Sequence, residues 1–88
     1  MTTFSFLDYL NNPSFDNIKL VHKASGLTQA QVTQILGIGL QTYKGWQSKP
    51  STANYRQPHT VMWNMLLYEL EARRLGYENL SDFFSKNS

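Results

Sequence analysis

A chain of 88 residues, 41% of them apolar and 14% aromatic, can fill one small core, which excludes both a large enzyme fold and a disordered chain. The absence of cysteine excludes a disulfide framework, a Cys-ligated zinc site and a thiol nucleophile. The first residues contain neither a basic leader nor a long apolar run, so we expect no signal peptide or transmembrane helix, and a cytoplasmic protein.

The formal net charge of +2 is distributed unevenly along the chain. Residues 17–68 contain five Lys or Arg side chains and no Asp or Glu, whereas residues 1–16 and 69–88 are both net negative. Part of the surface must therefore be positive, and such a surface attracts nucleic acid because it releases the counterions condensed on phosphates. A solvated basic face without a partner would have the same composition, and charge alone does not separate the two interpretations.

The first third of the chain predicts two short helices. The stretch from Thr3 to Leu10 spaces its apolar residues at helical intervals and should form a lid on the core. Ser14 is a candidate N-cap of a second helix, and Gly26 should end that helix in the left-handed conformation. The apolar stripe of the second helix would consist of Phe15, Ile18, Val21 and His22.

The middle of the chain predicts two helices separated by a short break. Over residues 27–36, Thr28 and Gln31 fit a capping box at the start of a third helix. Residues 37–39 include two glycines and interrupt the apolar periodicity.

The helix that follows, from about Leu40 to Gln47, should have two unlike sides. Tyr43 and Trp46 are one turn apart and should both be buried. These rings could also stack on single-stranded nucleic acid, but their spacing favours core packing. The other faces of this helix would carry Gln41, Thr42, Lys44 and Gly45.

Residues 48–57 are mostly small and polar and predict a loop. The longest helix should then run from His59 to about Leu75, with Pro58 at its start and Gly76 at its stop. Its apolar surface would include Val61, Met62, Trp63, Met65, Leu66, Tyr68 and Leu70.

A last short helix would be capped by Asn79 or Ser81 and anchored by Leu80, Phe83 and Phe84. The fold predicted from these elements is all-α: a compact bundle of five to six short helices forming one domain over residues 1–88. The helices from about residue 58 onward would serve the core and dimerisation.

Two short helices joined by a tight glycine-containing turn form a helix-turn-helix, whose second helix can enter the major groove of DNA. Residues 27–48, LTQAQVTQILGIGLQTYKGWQS, have this arrangement and resemble the Cro and phage-repressor class, often called XRE-like. The resemblance implies a lambda-repressor-like fold and DNA binding. The matching residues are the cap Thr28, Gln29, the small packing residue Ala30, the turn glycine Gly37 and the core aromatic Trp46.

A second segment, NYRQPHTVMWNMLLYEL at residues 54–70, resembles the part that follows this motif in anti-CRISPR-associated repressors and related small phage regulators. The chain departs from the class at Gly39, where Ser or Thr often caps the recognition helix. It departs again at Leu40 and Gly45, which occupy positions that are frequently polar.

The candidate DNA contacts follow from the geometry of a helix in the major groove, whose first turn lies deepest. Gln41, Thr42 and Lys44 should reach base edges or adjacent phosphates, and Leu40 could pack on a thymine methyl group. Gln29, at the N-terminus of the preceding helix, should donate to a phosphate. The flanking DNA backbone would be held by Lys49, Tyr55 and Arg56. Arg56 could equally pair with Glu69 or Glu71.

A homodimer is expected because one small module contacts few base pairs, whereas two copies about 34 Å apart can read an inverted repeat. The candidate interface residues are the apolar side chains beyond the motif, which could instead close the core of one chain. They are Trp63, Leu67, Leu70, Leu75, Tyr77, Leu80, Phe83 and Phe84.

No enzyme is predicted, and no metal, cofactor or small-molecule effector. His22 and His59 have no carboxylate at ligand spacing, and neither a hydrolytic triad nor a phosphate-binding glycine loop is present. The sequence favours a double-stranded DNA-binding repressor that acts by covering a promoter. The alternative is a protein-binding helix-turn-helix module, such as an antitoxin or a phage-encoded inhibitor of a host nucleic-acid machine.

Overall fold

The computed structural model describes residues 4–87, and over that range the chain is helical with no strand. An N-terminal 3-10 helix at Phe6–Tyr9 precedes five α-helices: α1 (Phe15–Ser25), α2 (Gln29–Leu36), α3 (Leu40–Trp46), α4 (Thr60–Arg74) and α5 (Leu80–Lys86). This confirms the predicted all-α bundle of five to six short helices. The predicted start of the first element, Thr3, lies outside the described residues. No helix between residues 4 and 87 is long and apolar enough to cross a bilayer.

The helix termini follow the capping signals in the sequence. Ser14 accepts a hydrogen bond from the N–H of Asn17 at the start of α1. At the start of α2, Thr28 and Gln31 form the reciprocal capping box, with bonds of 2.8 and 3.1 Å. Asn79, not Ser81, caps α5. Each such cap contributes about 1 kcal/mol to helix stability.

α4 supplies much of the core. Trp63 and Leu67 are fully buried and Leu70 is 3% exposed, so these three predicted dimer contacts lie inside a single chain and offer no surface to a partner. The Trp63 indole also donates to the carbonyl of Tyr9 at 2.8 Å, which fixes the N-terminal segment on α4. The other buried apolar core residues are Phe6, Ile18, Val21, Val32, Tyr43, Trp46 and Leu66.

The apolar surface predicted for α4 is wrong in part. Val61, Met65 and Tyr68 are exposed, whereas the large buried side chains of this helix, such as Trp63, Leu67 and Leu70, lie on its opposite side. α4 is apolar on two faces, so its periodicity does not show which face is inside. Phe84, predicted as an anchor of α5, is also exposed at 60%.

The N-terminal segment is held on α4 by a buried carboxylate. Phe6 is buried, as predicted for a lid, and its backbone N–H donates to Glu71 at 3.0 Å. Glu71 also accepts from the Ser5 hydroxyl at 3.1 Å and from Arg74 at 2.6 and 2.9 Å. The hydrogen bonds from Arg74, with those from Phe6 and Ser5, lower the pKa of Glu71 despite its burial.

Candidate nucleic-acid interface

α3 separates apolar from polar side chains around its axis. Tyr43 and Trp46 are 1% and 2% exposed, which confirms that these rings belong to the core. Gln41, Thr42 and Lys44 are exposed on the other side of the helix, and Leu40 is 40% exposed at its first residue. The helix is therefore anchored by its rings and presents amide, hydroxyl, ammonium and methyl groups to solvent.

The connection between α2 and α3 is three residues long and depends on one left-handed glycine. Gly37 has φ of 72°, a conformation that strains most other residues, and its N–H donates to the carbonyl of Thr33 at 2.8 Å. Ile38 is half-buried against the core, and Gly39 begins α3 in an extended conformation without a side-chain cap. The break predicted at residues 37–39 is thus confirmed as a tight connection between consecutive helices.

Two glutamines join α2 to the end of α3. The side-chain amides of Gln29 and Gln47 exchange hydrogen bonds of 3.1 and 2.8 Å, and Gln47 also donates to the carbonyl of Tyr43 at 3.3 Å. The predicted phosphate ligand Gln29 is therefore half-buried and already bonded in the free protein. Sequence reasoning missed Gln47, because nothing in the local pattern indicates a pair 18 positions apart.

Gly45 brings the loop of residues 48–57 onto α3. A Cβ atom at this position would lie 2.5 Å from Cγ of Arg56, 2.8 Å from its Cβ and 3.0 Å from the carbonyl of Asn54. The N–H of Arg56 donates to the carbonyl of Gly45 at 3.1 Å. Gly45 was predicted on an outer face, but it is buried beneath this loop. A glycine inside a helical pattern often marks such a close approach, and this signal could have indicated the contact.

The loop and α3 together form an open polar groove that contains no acidic residue. We call it the α3 groove, and its lining residues are Gln41, Thr42, Lys44, Gly45, Ser48, Asn54 and Arg56. The structure thus brings four predicted DNA contacts together. Leu40, Lys49 and Tyr55 do not line the groove: Leu40 and Lys49 are exposed, and Tyr55 is half-buried.

The cations around the α3 groove have no carboxylate partners among residues 4–87. Arg56 pairs with neither Glu69 nor Glu71, which bind Arg73 and Arg74 instead. The guanidinium of Arg56 donates only to the carbonyl of Tyr55, its neighbour in the chain, at 3.1 Å. The positive charge beside α3 therefore remains available for a polyanion.

Beneath α3, the imidazole of His22 lies 2.8 Å from the hydroxyl of Tyr43. Burial lowers the pKa of His22 and raises that of Tyr43, so both side chains are neutral near pH 7. The contact ties α1 to α3 without adding charge. Between residues 4 and 87 there is no group of three or more His, Cys, Asp or Glu side chains that could hold a metal ion.

Comparison with known proteins adds no relatives. No protein-family model matches the chain, and no curated protein or solved structure is significantly similar to it. Within the segment that resembles the repressor class, Ala30 is exposed instead of packed in the core, which corrects the role given to it. The α3 groove itself therefore remains the main indication of function.

Proposed function

We propose that this protein binds double-stranded DNA sequence-specifically as a small phage or bacterial repressor of the XRE-like helix-turn-helix class. In this proposal α2 and α3 form the helix-turn-helix, and α3 enters the major groove. Gln41 reads adenine edges, Lys44 reaches guanine or a phosphate, and Leu40 contacts thymine methyl groups.

The single observation that supports the proposal most is the division of α3 into a buried aromatic side and an exposed side without acidic residues. A helix that enters a groove about 12 Å wide must be anchored to the rest of the protein on one side and exposed to solvent on the other. Tyr43 and Trp46 hold α3, while Gln41, Thr42 and Lys44 are free of contacts with acidic side chains.

The groove also suggests how the DNA backbone is held. Arg56 is fixed beside α3 by the close approach of its loop to Gly45, and Lys49 extends from the same loop. Cations beside a recognition helix can bond phosphates, which sets the register of that helix on the duplex. With two copies on an inverted repeat, the protein would repress in the cytoplasm by covering promoter DNA.

Selection of bound duplexes from a random pool tests this function directly. We expect a short two-fold symmetric consensus, bound with an affinity that falls steeply as salt concentration rises. A scrambled duplex bound as tightly as the consensus would contradict sequence-specific recognition. A stable complex with a protein and none with any duplex would support the protein-binding module instead.

A further inference from the structure

α4 has a second apolar face that one chain leaves largely uncovered. Val61, Met65, Tyr68 and Leu75 are 64%, 54%, 42% and 53% exposed. With Ala72 they follow a spacing of four, three, four and three residues, which places all five on one line of the helix, roughly 21 Å long. This spacing is that of the a and d positions along which two helices pack. We call these five residues the α4 stripe.

The α4 stripe contains a hole as well as projecting side chains. Ala72 is 3% exposed and lies at an apolar groove of about 110 Å³. That volume is on the scale of one large apolar group, since a cavity of about 150 Å³ accepts benzene. The other residues lining the groove are Leu7, Tyr68, Glu71, Leu75, Leu80 and Phe83.

The stripe is complementary to itself when two helices run in opposite directions. With a two-fold axis at Tyr68, Val61 of one copy lies opposite Leu75 of the other, and Met65 lies within one residue, about 1.5 Å along the axis, of the level of Ala72. A two-fold interface requires this reciprocity, in which each surface supplies both the knob and the hole. We propose that two copies of this chain pair antiparallel along the α4 stripe, with Met65 of each copy inserted into the groove at Ala72 of the other.

The area and charge of this face suit a second copy. Together with Leu7, which lines the same groove, the exposed stripe residues present on the order of 400 Å² of apolar surface, within the range of the largest patches found on monomers. A standard interface buries about 800 Å² per partner, so the stripe would form about half of one. The two carboxylates beside the stripe are both paired: Glu71, which lines the groove, is bonded to Arg74 at 2.6 Å, and Glu69 is bonded to Arg73 at 3.1 Å. Pairing therefore buries no unpaired charge.

The α4 stripe takes the place of Trp63, Leu67 and Leu70, which are buried, as the predicted dimer contact. The pairing also deepens the proposed function. The use of the dimer on an inverted repeat rests on that function, whereas the pairing itself does not require DNA.

Sedimentation equilibrium of the full chain, without DNA, tests the pairing. We expect a wild-type dimer, and we expect Met65→Glu to weaken it by about a hundredfold because a carboxylate would be buried in an apolar groove. Leu20→Glu is the matched control, since Leu20 is 44% exposed on α1 and should not affect association. Thermal melts of both variants verify that they fold.

The register is tested by a charge pair placed across the two-fold axis. Val61→Glu and Leu75→Lys should each weaken the dimer when made alone. Combined in one chain they should regain about tenfold in affinity, because each new carboxylate faces the new ammonium of the other copy. The two positions are roughly 21 Å apart along one helix and cannot pair within a chain.

The outcomes separate this inference from the proposed function. A wild-type chain that is monomeric at every concentration, or a dimer that survives Met65→Glu, overturns the pairing and leaves DNA binding unaffected. Failure of the combined variant to regain affinity overturns the antiparallel register. A dimer that behaves as expected but binds no duplex supports the pairing and refutes the proposed function.

Discussion

The C-terminal helices and the surface around α3 differ in whether their charged side chains are paired. Among residues 4–87, the three ion pairs all lie within α4 or α5, including Glu71 with Arg74 at 2.6 Å. Around α3, Lys44, Lys49 and Arg56 face no carboxylate of the described part of the chain. Paired charges can stabilise a fold, whereas unpaired charges of one sign repel each other and attract an oppositely charged partner. The contrast predicts that substitutions in the first region change stability and those in the second change binding.

The largest effect should come from the buried side of α3. Trp46→Ala should lower the free energy of unfolding by about 3 to 5 kcal/mol, because it leaves a cavity beneath α3. Leu20→Ala, at an exposed position of α1, should change it by about 0.5 kcal/mol or less. Chemical denaturation measures both. If Trp46→Ala melted like the wild type, α3 would not be anchored by its rings.

The next effect concerns a paired charge of the C-terminal region. Glu71→Gln should destabilise the protein by about 1.5 to 3 kcal/mol at neutral pH, because hydrogen bonds to an ionised carboxylate are lost. Glu78→Gln, at an exposed carboxylate, is the matched control and should change stability little.

The pH dependence of the Glu71 substitution is determined by the direction of its pKa shift. The pKa of Glu71 lies below the usual 4.5. Its ionisation therefore stabilises the folded state, and this contribution is complete at pH values above 4.5. That contribution is lost as the pH falls from 4.5 through the lowered pKa. The difference between wild type and Glu71→Gln should therefore shrink in acid, and a difference independent of pH would contradict the charged network.

Local sequence signals predicted the helices but not their long-range contacts. The caps at Ser14 and Thr28 and the left-handed Gly26 are short-range features, and the structure confirms all three. The inner face of α4 was predicted only in part, because Trp63, Leu66 and Leu70 are buried but a second apolar face misled the assignment of Val61, Met65 and Tyr68. The contacts of Gln47 and Glu71 span 18 and 65 positions, so no spacing rule could find them.

Most members of the candidate site could be predicted from the sequence. Once the two aromatic rings of a short helix are assigned to the core, the residues on its other side must be exposed. Gly45 was misplaced for the opposite reason. A glycine inside a helix indicates that something approaches closely, but its partner depends on where a loop of ten residues returns to the helix, and the loop sequence does not specify that path.

The first test of the α3 side concerns base readout. Gln41→Ala should weaken binding to the selected duplex by about 1 to 3 kcal/mol and leave non-specific binding nearly unchanged, because only base contacts distinguish the two. Gln34→Ala, at an exposed glutamine of α2, is the matched control. Titrations against selected and scrambled duplexes measure both effects. An equal loss on both duplexes would show that Gln41 does not read bases.

The second test on this side concerns the contact between the loop and α3. Gly45→Ala should force residues 54–56 away from the helix and lower DNA affinity about tenfold, as Arg56→Ala should. The free energy of unfolding of Gly45→Ala should change little, because the higher helix propensity of alanine, worth up to about 1 kcal/mol, offsets the loss of the loop contact.

A double-mutant cycle verifies that the glycine acts through the arginine. If Gly45 serves only to place Arg56, the combined variant should bind DNA no worse than Arg56→Ala alone. Additive losses would mean that the two residues act independently, and the close approach would then have no role in binding.

The smallest effect separates paired from unpaired lysines. Lys49→Ala should weaken binding to all duplexes alike and reduce the slope of log affinity against log salt by about 1, because one phosphate contact is lost. Lys86→Ala removes the same charge from a side chain that pairs with Asp82 at 3.3 Å, and it should leave the slope unchanged. Equal effects of the two substitutions would show that DNA responds only to the net charge of the protein. Unequal effects would locate the DNA on the side where the lysines lack carboxylate partners.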